Sequence, residues 1–167
     1  MALIPIRIYP DPVLRVDCPP VTEFDDDLRQ LVDDMVQTMH AAPGVGLAAP
    51  QVGIEKQLAV VDVTVGEDPS ALKVLINPRI VEEDGRELDS EGCLSIPDLT
   101  EKVVRPTKIK VLSHSLDGSE VEMEVEDFEA RAFCHEIDHL HGVLFIDHLR
   151  GLRKEKARRS LKKLGFT

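Results

Sequence analysis

The sequence contains few cysteines and no long apolar run, and these two absences exclude several classes of protein. Three cysteines, an odd number at irregular spacing, do not suit a disulfide framework. No apolar stretch approaches the roughly 18 residues that a membrane-spanning helix needs. Residues 1–7 lack the basic region and the long apolar region of a signal peptide. We therefore expect a protein of a reducing, cytoplasmic compartment with no membrane partner.

Length and charge set further bounds. With 167 residues, 43% of them hydrophobic, the chain can form one domain, 1–167, with a sizeable core. Residues 149–167 contain eight lysines and arginines and one glutamate and so carry +7, which leaves −18 on the other 148 residues of a chain with net charge −11. An acidic body disfavours DNA binding, whereas a basic C-terminal helix over 149–167 can contact RNA or an acidic partner locally. The alternative for this helix is a solvated surface.

The hydrophobic pattern predicts an α+β fold. Three aspartates at 25–27 suit the first turn of a helix, and apolar residues at helical spacing follow up to residue 39, which predicts an N-terminal amphipathic helix. Strands without regular βαβ alternation predict antiparallel β-sheets packed around a central helix. The remaining predicted elements are strands over 58–63 and 73–81, a hairpin of 108–114 and 120–126 around Asp117-Gly118, the central helix over 127–142, and the C-terminal helix after Gly151.

The central helix carries the sequence His135-Glu136-Ile137-Asp138-His139. Two histidines four residues apart project about 40° from each other on one helix face, one turn apart. Two neutral imidazoles at this spacing can bind one metal ion, and Glu136 then lies beside any water bound to the metal. The alternative is a buried helix with two incidental histidines.

A catalytic metal usually has three protein ligands, so a third ligand is needed. Phe145 occupies the position of the third histidine in one zincin metallopeptidase class, and a phenyl ring cannot bind a metal. Glu155, the one acidic residue after Asp147, lies in the basic helix and is a weak candidate for the distal glutamate of another class.

The cysteines differ in their suitability as the third ligand. Cys134 projects about 100° away from His135 on the helix, and core packing is its expected role. Cys18 lies near prolines with no metal-binding neighbours. Cys93 follows a glycine in an extended segment, and a thiolate with two imidazoles is a known catalytic zinc set that also suits iron. We therefore predict Cys93 as the third ligand.

Three motifs, taken together and in order, resemble the peptide deformylase family. They are residues 44–51 (GVGLAAPQ), residues 91–95 (EGCLS) and residues 135–139 (HEIDH), and the opening segment 7–15 (RIYPDPVLR) also resembles the family. The resemblance covers essentially the whole chain up to the basic tail. It implies a hydrolase acting on a formamide bond, which removes the N-formyl group from the formyl-methionine of newly synthesised bacterial polypeptides and releases formate.

The resemblance also implies a set of site residues. One divalent metal ion per chain would be held by Cys93, His135 and His139, with Fe²⁺ as the expected native ion and Zn²⁺ or Ni²⁺ as substitutes. Glu136 would be the general acid/base, and a metal-bound water would be the nucleophile. The oxyanion donors would be the side chain of Gln51 and the backbone N–H of Leu94. The substrate would lie as an extra strand against Val45 and Gly46.

Other residues near the motifs carry more open interpretations. Phe128, Arg131 and Ala132 lie where the family forms its methionine pocket, and the apolar stem of Arg131 could line that pocket. Cys134 stands where the family commonly has glutamine. Arg105 either orients Glu91 or Asp138 from behind the ligands or forms a surface ion pair.

Two other functions remain open from the residues. The first is a zincin metallopeptidase, weakened by Phe145 and the lack of a plausible distal ligand. The second is a binding protein with a relic site, docked to the ribosome through residues 149–167. A deformylase could also make a transient ribosome contact through the same helix.

Overall fold

The computed structural model describes residues 2–165, which have an α+β architecture, as predicted. Residue 1 of the predicted domain and residues 166–167 of the predicted basic tail lie outside the described residues. The α-helices are α1 (Asp26–Ala41), α2 (Asp127–Leu140) and α3 (Gly151–Lys163). The strands are β1 (Gly46–Ala48), β2 (Leu58–Val61), β3 (Lys73–Asp84), β4 (Glu87–Cys93), β5 (Ile96–Arg105), β6 (Lys108–His114) and β7 (Glu120–Glu126). Among the helices of residues 2–165, none combines the length and apolarity needed to cross a membrane.

The strands form two separate antiparallel sheets. The larger has the order β1-β2-β3-β6-β7, and the smaller consists of β4 and β5. Within residues 2–165, strand β1 pairs only with β2 and is therefore an edge strand. The predicted hairpin is confirmed, since β6 and β7 pair from Lys108↔Glu126 to His114↔Glu120 around the predicted turn. Strand β3 continues three residues past its predicted end, because its last residue, Asp84, still pairs with Lys108.

Helix α1 covers one face of the large sheet. The side chain of Asp25 caps it by accepting a hydrogen bond from the backbone N–H of Leu28 at 3.0 Å. Such a cap satisfies one of the N–H groups left unpaired in the first turn. The buried stripe, which includes Met35 and Met39, packs against residues of β1 and β2 in one apolar cluster.

Helix α2 lies between the two sheets, and ten of its residues are buried. It ends at Leu140, two residues before the predicted end. Gly142 follows with φ of +72°, and a β-carbon there would lie 2.7 Å from the carbonyl carbon of Arg15. Both the left-handed backbone and the close approach require glycine, which explains how the chain leaves the helix here.

Another apolar cluster joins the small sheet to the C-terminal helix. Val103 and Leu99 of β5 pack with Ala157 and Leu161 of α3, and with Phe145 from the short 3₁₀ helix Phe145–His148. The C-terminal helix is therefore attached to β5 through its few apolar residues, and its basic residues face outward.

Candidate metal centre

Three donor atoms from two elements converge beneath the small sheet. Cys93, at the end of β4, meets His135 and His139 of α2, and their ligand atoms all lie within 4.8 Å of one another. The Nε2 atom of His139 is 3.4 Å from the Cys93 sulfur and 3.2 Å from Nε2 of His135. Ligands arranged tetrahedrally around Zn²⁺ would be separated by about 3.3 Å between nitrogens and about 3.6 Å between nitrogen and sulfur. The three side chains therefore fit a single ion.

The electrostatics of the two imidazoles differ. Burial opposes protonation of His135, but the neighbouring Glu136, Cys93 and Glu91 raise its pKa well above the ordinary value. Burial and the adjacent His135 lower the pKa of His139 well below the ordinary value. His139 is thus held neutral with a lone pair for a metal, and the negative groups around His135 favour a cation at this point.

Glu91 fixes the orientation of the first histidine. Its Oε1 is 2.8 Å from Nδ1 of His135, so the other ring nitrogen faces the donor cluster. Such a carboxylate–histidine contact sets the tautomer of a metal-binding imidazole. Burial alone would raise the pKa of Glu91, but hydrogen bonds from Arg105 and His135 outweigh it and hold the pKa well below its usual range. Glu91 is therefore a buried carboxylate that is ionised at neutral pH.

Arg105 links Glu91 to a second residue of α2, Asp138. It donates from Nε and Nη2 to the two oxygens of Glu91 at 2.7 and 2.9 Å, and from Nη1 to Asp138 at 2.7 Å. Its side chain is only 5% exposed. The interpretation of Arg105 as a residue that orients Glu91 and Asp138 is confirmed, and the surface ion pair is wrong. His148 also contacts Asp138 at 2.8 Å.

Glu136 lies against the glycine of the edge strand. A β-carbon at Gly46 would come within 2.8 Å of the carboxyl carbon of Glu136, so a larger residue here would require the Glu136 side chain to move. Burial is the main reason that the pKa of Glu136 is raised to about 7. Its Oε1 is buried and makes no hydrogen bond within residues 2–165. A carboxyl group that titrates near neutrality is suited to accept a proton and return it.

The side chain of Gln51 lies close to the sulfur of Cys93. It lies in the 3₁₀ helix Ala49–Val52, where its Oε1 accepts a hydrogen bond from the N–H of Ala48 at 2.9 Å. Its Nε2 donates to Ser95 at 3.1 Å and lies 3.6 Å from the sulfur of Cys93. The amide N–H groups, rather than its oxygen, therefore face the donor cluster.

A cavity of about 620 Å³ opens onto these residues. This size is within the range of about 300–1,000 Å³ typical of small-ligand sites. The residues that the sequence analysis assigned to substrate or oxyanion contacts line it together: Val45, Gly46, Gln51, Leu94, Phe128, Arg131 and Ala132. Gly46, the first residue of edge strand β1, is among these lining residues.

Arg131 lines the cavity, and its charged group is buried against the small sheet. The side chain is 6% exposed, and its guanidinium contacts Glu91 and several backbone carbonyls of the small sheet. Sequence reasoning missed these contacts, because the residues involved lie 28 to 44 positions away along the chain.

The remaining candidate ligands lie elsewhere. Cys134 packs in the core between the helix and the large sheet, as predicted, and burial raises its pKa to about 12. Burial likewise raises the pKa of Cys18 to about 11. Glu155 lies on α3, where its carboxylate accepts hydrogen bonds from Arg158.

Comparison with known proteins places this arrangement in a family. A family model described as polypeptide deformylase matches residues 3–155. The chain is 51% identical over 164 residues to a peptide deformylase of Acidobacterium capsulatum, covering 98% of this chain and 96% of the relative. It is 52% identical over 149 residues to peptide deformylase 1 of Clostridium acetobutylicum, covering 89% and 96% of the two chains.

Solved structures of relatives share the fold closely. The structure of a peptide deformylase from Legionella pneumophila superposes with a TM-score of 0.90 at 40% identity, covering 98% of this chain and 95% of the other. A peptide deformylase from Synechococcus elongatus, solved in complex with actinonin, gives 0.91 at 41% identity, covering 98% and 89%.

Proposed function

Because the chain belongs to the polypeptide deformylase family, we propose that it removes the N-formyl group from the formyl-methionine of newly synthesised polypeptides and releases formate. It is a hydrolase of that family, and residues 1–167 would form its one catalytic domain. The observation that carries the proposal is the convergence of Cys93, His135 and His139 beside Glu136 at the end of a cavity.

One divalent metal ion would be held by those three donors. Fe²⁺ is proposed as the native ion, with Zn²⁺ or Ni²⁺ as functional substitutes, because thiolate and imidazole ligands accept all three. When bound, the ion would supply Lewis acidity that lowers the pKa of a coordinated water and polarises the formyl carbonyl. The helix α2 would then be the metal-binding centre of the fold, since it contributes both histidines and Glu136.

The protein's own groups would carry the proton transfers. Glu136 takes a proton from the attacking water, whose oxygen bonds to the formyl carbon. Gln51 Nε2 and the N–H of Leu94 donate hydrogen bonds to the oxyanion that develops. The carbon–nitrogen bond then breaks as Glu136 returns the proton to the leaving amine.

The edge strand β1 would place the substrate. An extended peptide can pair with the open side of Val45 and Gly46 as an added strand, which aligns its first residues along the cavity. The methionine side chain would enter the part of the cavity lined by Phe128, Ala132 and the stem of Arg131.

The proposal also includes a cellular compartment and a contact with the ribosome. The relatives named above are bacterial, and we propose the bacterial cytoplasm as the compartment, with formylated nascent peptides as substrates. The outward basic residues of α3, such as Arg158 and Lys156, would allow a transient contact with ribosomal RNA.

The test is a formate-release assay on formyl-Met-Ala with anaerobically purified protein and measured metal content. We expect deformylation by the wild type, and a loss of about 10²–10⁴-fold in kcat for Glu136→Gln with the metal retained. Formate release unchanged in Glu136→Gln would refute the acid/base role. Cleavage of internal peptide bonds without formate release would support the metallopeptidase, and stoichiometric metal with no turnover would support the relic binding protein.

A further inference from the structure

The small sheet carries one of the three metal donors but shares no strand pairing with the large sheet within residues 2–165. Cys93 ends β4, whereas both histidines lie on α2. The apolar residues of β5 pack with α3 and with Phe145, whose ring stacks on that of His135 at 6.1 Å between centroids. The position of the Cys93 sulfur relative to the two imidazoles therefore depends on the side-chain contacts that join the small sheet to α2.

Arg131 of α2 contributes to that connection with one buried side chain, beside the contact of Glu91 with His135 and the ion pair of Arg105 with Asp138. Its Nη2 donates to the carbonyl oxygen of Glu87 at 2.9 Å, and its Nη1 lies 2.8 Å from the carbonyl oxygen of Val103 and 3.3 Å from that of Asp89. Nη1 also lies 2.9 Å from Oε2 of Glu91. One guanidinium thus contacts both strands of the small sheet and the carboxylate that orients His135.

The geometry of these contacts requires an arginine. The guanidinium presents its donors in a rigid planar fork, so that one nitrogen can reach Glu87 while the other reaches Val103 and Glu91. A lysine ammonium at the same place is a single point of charge and could serve only one side of this set.

We infer that Arg131 is a positioning residue, which fixes the small sheet against α2 and thereby sets the place of Cys93 relative to His135 and His139. The inference rests on the metal site of the proposed function and extends it. The sequence analysis used only the apolar stem of Arg131, as part of the methionine pocket, whereas this role belongs to the guanidinium. Both roles can coexist, but different substitutions separate them.

The experiment compares Arg131→Lys and Arg131→Met with the wild type and with Lys73→Met. Arg131→Met keeps an apolar stem and removes the guanidinium, and Arg131→Lys keeps the charge and removes the fork. Lys73→Met is the matched control, because Lys73 joins α2 to the large sheet, rather than to the small one, through Glu129 at 3.0 Å. Chelator competition measures the Zn²⁺ dissociation constant, and absorption spectra of the Co²⁺ form record the thiolate charge-transfer band. Hydrogen exchange is followed on the backbone amides of β4 and β5 and of β6 and β7.

We expect Arg131→Met to weaken Zn²⁺ binding by about 10–100-fold, and Arg131→Lys by a smaller factor, since supporting residues of metal ligands have effects of this size. The cobalt–thiolate band should weaken, and amides of β4 and β5 should exchange faster while those of β6 and β7 do not. Lys73→Met should keep the wild-type affinity.

Two kinds of result would overturn the inference. One is a wild-type metal affinity in folded Arg131→Met with only the KM for formyl-Met-Ala changed, which would leave Arg131 as a pocket residue alone. The other is the unfolding of even Arg131→Lys while Lys73→Met stays folded, which would make the role one of general stability. A wild type that binds no metal would instead refute the proposed function.

Discussion

The carboxyl group of Glu136 lies buried between His135 and Gly46, away from the water that would stabilise its charge. A carboxyl group whose pKa is raised by folding favours the unfolded chain at every pH where that chain ionises it. The raised pKa that suits proton transfer therefore lowers the free energy of unfolding. For Glu136, this loss in the free energy of unfolding begins near pH 4.5 and grows until about pH 7.

This cost gives a prediction for metal-stripped protein. Glu136→Gln cannot ionise, so it should be more stable than the wild type by about 3 kcal/mol at pH 8 and by only about 1 kcal/mol at pH 5. Urea unfolding at the two pH values, monitored by circular dichroism, measures the difference. A variant less stable than the wild type at pH 8 would contradict the prediction.

Glu91 illustrates the opposite case, a buried charge with enough partners. Two arginines and His135 donate to it, and its lowered pKa means that it contributes stability above the pKa of the unfolded chain, which is lost as the pH falls. Removing one member of such a cluster leaves the others buried without compensation.

We therefore predict that Glu91→Gln lowers the free energy of unfolding at pH 7 by about 3–5 kcal/mol. The matched control is Glu122→Gln, an exposed side chain on β7, which should change the free energy of unfolding by less than about 0.5 kcal/mol. Both are measured by urea unfolding at pH 7. Equal effects in the two variants would mean that the cluster around Glu91 contributes no more than a surface ion pair.

At the scale of elements, patterns of neighbouring residues predicted the helices and strands better than they predicted contacts between residues far apart in the chain. The hairpin of β6 and β7 follows from alternation and an Asp-Gly turn, and both strands agree with prediction to the residue. The small sheet was foreseen only as an extended segment around Cys93, because its irregular stretch of polar residues gives little alternation. The site was assembled from motifs, but the contacts of Arg105 and Arg131 depend on how the small sheet meets α2, which no spacing encodes.

The close approach of β1 to α2 yields a prediction at this scale. Gly46→Ala should displace the Glu136 carboxylate and reduce kcat by about 10²-fold or more, because general acid–base catalysis needs hydrogen-bond reach. The control is Gly118→Ala at the hairpin turn, where φ is +88°. It should lower stability by about 1 kcal/mol or more and leave kcat unchanged.

Formate-release kinetics and thermal unfolding of the same samples separate the two variants. If Gly46→Ala lost stability to the same extent as Gly118→Ala but kept its kcat, the contact with Glu136 would have no catalytic importance.

For the whole molecule, the main feature is the separation of charge. Residues 149–167 carry +7 and the rest of the chain −18, and the structure attaches α3 by its apolar residues so that the basic side chains face outward. An acidic body repels nucleic acid in general, so binding to RNA would be confined to one helix and one orientation.

We predict that Lys154→Gln, Lys162→Gln and Lys163→Gln, combined, weaken association with ribosomes. The slope of log affinity against log salt should fall by roughly one for each phosphate that the helix no longer neutralises. Cosedimentation over a salt series measures this. Turnover of formyl-Met-Ala should stay at the wild-type value. Association that persisted unchanged in the triple variant would leave α3 as a solvated surface.

The separation of the two sheets has a consequence for the lifetime of the protein. An ion bound to Cys93 and both histidines would join the end of β4 directly to α2, in addition to the side-chain contacts described above. Oxidation of the Cys93 sulfur would then remove this link as well as the catalytic metal. Exposure to air should therefore lower the stability of the protein in step with the loss of activity.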